Sequence, residues 1–391
     1  MYIAQAFNIL HDWWRYLVGL IIIILAWQLL GAIPLGIAIF AKVFSEGGDF
    51  SQLEANDMLS MLEPNLNLFL LLLMFAIGLI AVLLVSKYLH KQSLTHLTTS
   101  RKKIDWKRFW FIFILWGVVS SSFVLIDYFL IAPEDYELNF KTVPFLILCI
   151  IAIIMVPMQT SFEEYLFRGY LMQGLGVSSV HQKFPFTIIY TIIGIVGYIY
   201  FDSIYNFGFM EAIIIFILLV SLLVLLLNTK NLTTSSLDSL LYKVLKRNST
   251  PLILTSVVFG LLHIANPEVE QLGYVIMVYY IGTGLFLGII TLMDEGMELA
   301  LGFHAANNLF TALLVTADWT AFQTHSVLKD MSDPEKMGIM EIFVPVFVIF
   351  PILLFILSKK YKWNNWKDKL FGPVLPPTND DYKILEDIET N

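Results

Sequence analysis

The chain alternates long apolar runs with short polar segments. The runs cover about 16–40, 66–86, 109–132, 143–161, 186–201, 209–227, 251–265, 272–293, 299–316 and 342–358. Most approach the roughly 20 residues that a helix needs to cross a bilayer. The period-two alternation of half-buried strands is not apparent. This pattern predicts an all-α, polytopic integral membrane protein of about ten transmembrane helices. The pair within 186–227 and the short run at 251–265 fit a spanning length least well.

Composition sharpens the class. Hydrophobic residues make up 58% and charged residues 14% of the chain, against about 25% charged in soluble domains. The first apolar run is too long for a signal-peptide core and is not followed by a small-residue cleavage site, so it is expected to stay as a transmembrane helix. The single cysteine, Cys149, excludes an intrachain disulfide and a cysteine metal cluster. No phosphate-binding glycine loop occurs. Trp13, Trp14, Trp106, Trp110, Trp363 and Trp366 lie near helix ends and read as interfacial anchors, not as stacking platforms for nucleic acid.

The distribution of Lys and Arg sets an orientation. Segment 87–108 holds Lys87, Lys91, Arg101, Lys102, Lys103, Lys107 and Arg108, and segment 228–250 holds Lys230, Lys243, Lys246 and Arg247. Lys359, Lys360, Lys362, Lys367 and Lys369 follow the last run, whereas 43–65 and 133–140 are acidic and lack both basic types. Ten crossings with both termini in the cytoplasm, in a plasma (inner) membrane, satisfy these biases. That topology also puts the turn holding Asp294, Glu295 and Glu298 inside, without basic residues of its own.

Three parts are expected: N-terminal membrane helices with a cytoplasmic basic loop (1–142), a core (143–316) containing an inserted helical pair (186–250), and a last helix with its cytoplasmic tail (317–391). The tail has Pro373, Pro376 and Pro377 and then turns acidic, a composition that predicts poor order. Within 228–249, Leu237, Leu240, Leu241, Val244 and Leu245 fit either an interfacial amphipathic helix or a solvated loop with one helical turn. Gly282, Gly284 and Gly288 form a small-residue face suited to close helix packing within the monomer or, alternatively, to oligomerisation.

The chemistry concentrates in the core. Glu163, Glu164 and Arg168 stand at the end of a nearly charge-free run. An ionised side chain at mid-bilayer costs about 2.5 to 3.5 kcal/mol on a lenient scale, so intramembrane charges mark functional sites. Glu164 and Arg168 are four residues apart and share a helix face. Glu163 points about 140° away from Arg168 and is left available. His263 and His304 lie in later apolar runs, with Phe259 one turn before the first and Asn308 one turn after the second. The other histidines, His11, His90, His96, His181 and His325, fall in polar loops or near segment ends.

Depth supports a common site. At 1.5 Å per residue, Glu163 is roughly 16 Å from a cytoplasmic end at Gly174, His263 roughly 18 Å from Pro251, and His304 roughly 12 Å from Gly296. These levels agree within about one helical turn.

In these residues the sequence resembles the CPBP intramembrane proteases, which include the type 2 CAAX prenyl endopeptidases and bacteriocin-immunity relatives. EEYLFR matches the family's Glu-Glu-x-x-x-Arg motif, FGLLH its Phe-x-x-x-His motif and HAANN its His-x-x-x-Asn motif, in the family's order. The resemblance covers about 143–316 and implies a CPBP-type helical core that hydrolyses peptide bonds. In it, Glu163 and His263 would activate a water, His304 and Asn308 would stabilise the oxyanion, and Glu164, Arg168 and Phe259 would support the site. The family pattern implies direct glutamate catalysis without a cofactor. Glu, His, His and Asn could also surround zinc, which keeps the metalloprotease alternative open. The 90 residues between Arg168 and Phe259 exceed the spacing in compact members.

The implied partners are a membrane-embedded or membrane-associated peptide or protein substrate, entering from the cytoplasmic half, and the lipid bilayer. Nucleic acid is not among them. Two other readings fit the same side chains: a non-enzymatic immunity or regulatory protein on the same scaffold, and a proton-coupled transporter.

Overall fold

The computed structural model describes residues 2–46, 61–181, 183–205, 208–228, 236–334 and 338–376. The chain is a polytopic all-α membrane protein. Its main helices are α1 (Trp13–Ser45), α2 (Pro64–Leu89), α3 (Trp106–Ile131), α4 (Thr142–Ser178), α5 (Phe184–Tyr205), α6 (Phe209–Asn228), α7 (Ser236–Leu245), α8 (Ser249–Leu261), α9 (Pro267–Leu272), α10 (Tyr274–Asp294), α11 (Glu298–Leu314), α12 (Ile339–Tyr361) and α13 (Trp366–Phe371).

Each of the ten apolar runs carries a helix, but by length and composition only seven, among the described residues, could cross a membrane. The expected count of ten therefore does not follow. Helix α8 spans 13 residues and α11 spans 17, both short of a full crossing. Helix α11 is instead buried on most sides, with Leu299, Ala300, Gly302, Phe303, His304, Ala305 and Ala306 enclosed.

Packing follows the apolar faces. Helix α11 lies along α3 and α4, α8 along α10, and α2 along α4. One core cluster joins Ile23, Val82, Phe162, Leu166, Phe259 and Leu301, so the N-terminal helices share a core with the segments bearing the motifs. A second joins Ile112, Trp116, Phe286, Phe303 and Phe350. The small-residue face of α10 allows close contact. A Cβ on Gly284 would stand 2.8 Å from the Ser256 carbonyl oxygen of α8, too close for any side chain.

At one end of the bundle the basic segments meet the acidic turn. Arg101 binds Asp294 at 2.8 Å and Glu298 at 3.0 Å, Arg108 also pairs with Asp294, and Lys369 reaches Glu295 at 3.1 Å. The turn that lacks basic residues of its own thus receives them from two distant segments. Gly296 leaves room for this network, since a Cβ there would meet Glu298 Oε2 at 2.2 Å. Trp363, expected as an anchor, donates its indole N–H to Asp294 at 2.9 Å. The first residues lie at this same end, with the Tyr2 hydroxyl donating to the Leu97 carbonyl at 2.6 Å.

The opposite end carries a small sheet that period-two reading did not reveal: β1 (Tyr136–Leu138), β2 (Val315–Thr316) and β3 (Leu328–Asp330), ordered β1-β3-β2. Strands of two or three residues are too short for alternation to register. The inserted α5 and α6 pack on each other, and α5 on α7. Residues 236–245 form a helix. The tail beyond 376 and most of the 43–65 loop lie outside the described residues.

Candidate active site

Helix α4 delivers the acidic pair. Gln159, Glu163 and Glu164 are all buried, and a π-helical stretch, Tyr165–Leu171, begins directly after Glu164. Wide turns of this kind are rare and tend to mark functional sites. Arg168 lies within it. Its Nη1 donates to Glu164 Oε1 at 3.0 Å and its Nη2 to the Gly284 carbonyl at 3.1 Å, with the guanidinium 4.3 Å above the Phe259 ring. A buried ion pair holds only when further hydrogen bonds offset its desolvation. The carbonyl exposed by the close α8–α10 packing and the ring of Phe259 supply that support.

Helix α11 brings His304 between the two carboxylates. Its Nδ1 is 2.8 Å from Glu164 Oε1, and its Nε2 is 3.6 Å from Glu163 Oε2. Glu164, fixed by Arg168, orients the ring so that Nε2 faces Glu163. The pairing of Glu164 with Arg168 and the availability of Glu163 agree with the helix-face argument.

A line of amides continues from the second carboxylate. Gln159 Nε2 donates to Glu163 Oε1 at 2.5 Å, and Asn308 Nδ2 donates to Gln159 Oε1 at 3.1 Å. Asn307 Nδ2 donates to Asn308 Oδ1 at 3.1 Å, and the Trp116 indole donates to Asn307 Oδ1, also at 3.1 Å. Glu163 Oε2, by contrast, accepts no hydrogen bond among the described residues. One oxygen of the carboxylate is held, and the other is buried beside the cavity without a donor of its own among the described residues.

His263 differs in setting from the sequence expectation. Helix α8 ends at Leu261, and His263 stands in the turn that follows. The apolar run continues past the helix end, so hydropathy alone does not show the break. The Nδ1 of His263 bonds the Phe259 carbonyl at 2.8 Å, and its ring stacks on Tyr280 with centroids 4.4 Å apart. The carbonyl accepts the Nδ1 proton, which leaves Nε2 as a proton acceptor. Among the described residues His263 makes no direct hydrogen bond to Glu163; the two face a shared cavity.

That cavity has a volume of about 530 Å³ and is lined by Glu163, His263, His304 and Asn308 together. From these residues its walls run to Asn266, Glu268, Thr316, Trp319 and Asp330, all near the small sheet. None of the lining comes from the basic segments or the 294–298 turn. The cavity therefore extends away from the basic end and toward the small sheet. At the basic end the Arg101, Asp294 and Glu298 network closes the bundle.

Gln159, Asn307 and Trp116 belong to the site but were not anticipated. The signal for Gln159 is a polar residue four positions before Glu163 in an apolar helix, hence on its face. For Asn307 and Trp116 no sequence pattern distinguishes them from helix packing.

The comparisons with known proteins bear on this geometry. Residues 238–310 match the family model described as type II CAAX prenyl endopeptidase Rce1-like. The uncharacterized protein YyaK of Bacillus subtilis (strain 168) is 25% identical over 307 residues, 78% of each chain. No solved structure matches. The matched segment contains Phe259, His263, His304 and Asn308, while Glu163, Glu164 and Arg168 precede it and join it through the contacts above. Over residues 238–310 the chain is thus similar to the type II CAAX prenyl endopeptidase Rce1-like family, in a segment that holds two of the three motifs.

Proposed function

We propose that the chain is an intramembrane endopeptidase that hydrolyses a peptide bond of a membrane-associated protein or peptide, using a water held between Glu163 and His263. The observation that carries this reading is the meeting of Glu163, His263, His304 and Asn308 in one cavity, although they come from three segments.

Glu163 Oε2 takes a proton from the water as the water oxygen bonds to the carbonyl carbon, and His263 Nε2 accepts the second water hydrogen as a hydrogen bond. The oxyanion receives hydrogen bonds from His304 Nε2 and the remaining Asn308 amide hydrogen. Because its Nδ1–H donates a hydrogen bond to Glu164 Oε1, His304 donates from Nε2 only as an imidazolium, and the two adjacent carboxylates balance that charge. On collapse the C–N bond breaks, and the proton on Glu163 passes to the leaving nitrogen. Donors fixed at the oxyanion typically contribute about 2.7 to 4 kcal/mol each.

Water activation is metal-free in this reading. Activity that persists after dialysis against a zinc chelator supports direct glutamate catalysis; activity lost and restored by added zinc supports the metalloprotease alternative. The basic end is cytoplasmic by the bias of Lys and Arg, so the substrate approaches from the sheet end or laterally from lipid. The experiment is to incubate the purified full chain, in detergent, with a hydrophobic peptide library and to read new termini by mass spectrometry. Cleavage by the wild type and none by Glu163→Gln supports the proposal; equal cleavage by both defeats it.

A further inference from the structure

The outer wall of the cavity carries a carboxylate with no role in this chemistry. Glu268 Oε1 accepts the Ala321 amide at 2.9 Å, which ties the loop after β2 to α9. Its second oxygen, Oε2, is buried and has no hydrogen-bond partner among the described residues. A carboxylate oxygen shielded from water and left unpaired is costly, and a cation placed against it relieves that cost. The surroundings suit a cation. Tyr280 and Trp319 line the same region, and aromatic faces attract cations. Among the described residues the lining contains Glu163, Glu268 and Asp330 but no Lys or Arg, and the His304 imidazolium is already paired with Glu163 and Glu164.

We propose that Glu268, flanked by Trp319 and Tyr280, forms a subsite for a cationic side chain, Lys or Arg, of the bound peptide, on the sheet-end side of the scissile bond. The inference rests on reading the cavity as a peptide site and adds a specificity determinant to it. Glu268 lies five residues beyond His263 and on the path toward the sheet, so it meets a residue displaced from the reacting carbonyl and not the carbonyl itself. An otherwise apolar peptide with one such cation would be favoured over its neutral counterpart.

The test separates binding from hydrolysis. Fluorescent peptides that differ only in Lys, norleucine or Glu at each position around the centre are titrated into full-length Glu163→Gln protein in detergent. The expected result is binding of one Lys peptide about tenfold or more tighter than its norleucine twin, as a charge-assisted hydrogen bond allows, with the Glu peptide weakest. Adding Glu268→Gln keeps an acceptor for the Ala321 amide and should abolish the preference while norleucine binding stays. Equal affinities across the series, or a Lys preference that survives Glu268→Gln, overturns the subsite. Because the peptide series reads the preference without any change at Glu268, a poorly folding variant does not obscure the answer. Lys-selective binding without cleavage by the wild type would keep the subsite and remove the endopeptidase reading.

Discussion

His304 bonds Glu164 through Nδ1 at 2.8 Å, on the same oxygen that accepts Arg168 Nη1. One carboxylate on α4 therefore fixes the histidine of α11, and all three groups are buried. Removing any member strands charge in a low dielectric.

Glu164→Ala and Arg168→Ala should each destabilise the protein by about 3 to 5 kcal/mol, the cost of breaking a buried pair. Thermal unfolding in detergent reads this directly. A loss of activity with an unchanged melting curve would assign these residues to chemistry instead of support.

Gln159 is expected to position the base. Its amide holds Glu163 Oε1 at 2.5 Å and accepts from Asn308 at 3.1 Å. Loss of a hydrogen bond to a charged group, about 1.5 to 3 kcal/mol, should lower kcat roughly ten- to a hundredfold in Gln159→Leu. An unchanged kcat would remove Gln159 from the site.

Gly284→Ala tests the close packing of α10 on α8. Its Cβ would stand 2.8 Å from Ser256 O, and its own carbonyl accepts from Arg168. Overpacking of this kind costs about 1 to 3 kcal/mol. Gly36→Ala, where no described residue lies within 4 Å of the added Cβ, is the matched control and should melt like the wild type.

At the sheet end, Glu63 caps α2. Burial opposes its charge, but hydrogen bonds from the Leu66 and Asn65 amides and from His325 outweigh this and hold its pKa below the usual 4.5. A depressed carboxyl contributes stability above its unfolded pKa and loses it as pH falls through the folded value. The stability difference between the wild type and Glu63→Gln should be constant above about pH 5 and shrink below about pH 4, staying within roughly 1 kcal/mol because the group is exposed. A difference that grows with acid would reverse the assignment.

How much of this was legible depends on range along the chain. The bond between Glu164 and Arg168 follows from helix geometry, and the common depth of Glu163 and His304 follows from rise per residue. The closure of the basic end was half visible: charge bias put 87–108 and the tail on one side, yet nothing local said that Arg101 and Arg108 would meet Asp294. Gln159 and Asn308 lie 149 positions apart and join only through the packing of α11 on α4. The end of α8 at Leu261 was hidden because Leu262, Ile264 and Ala265 continue the apolar run. The direction of the cavity is set by the short helix α9 with Glu268 and the loop around Trp319, whose placement no periodicity encodes.

The most direct test of a Glu163-activated water is a comparison of membrane peptides from cells carrying the wild-type chain or Glu163→Ala, with both proteins present at equal level. The account predicts a set of new termini, flanked by apolar sequence, that are present with the wild type and absent with the variant. Identical termini in the two strains would contradict it.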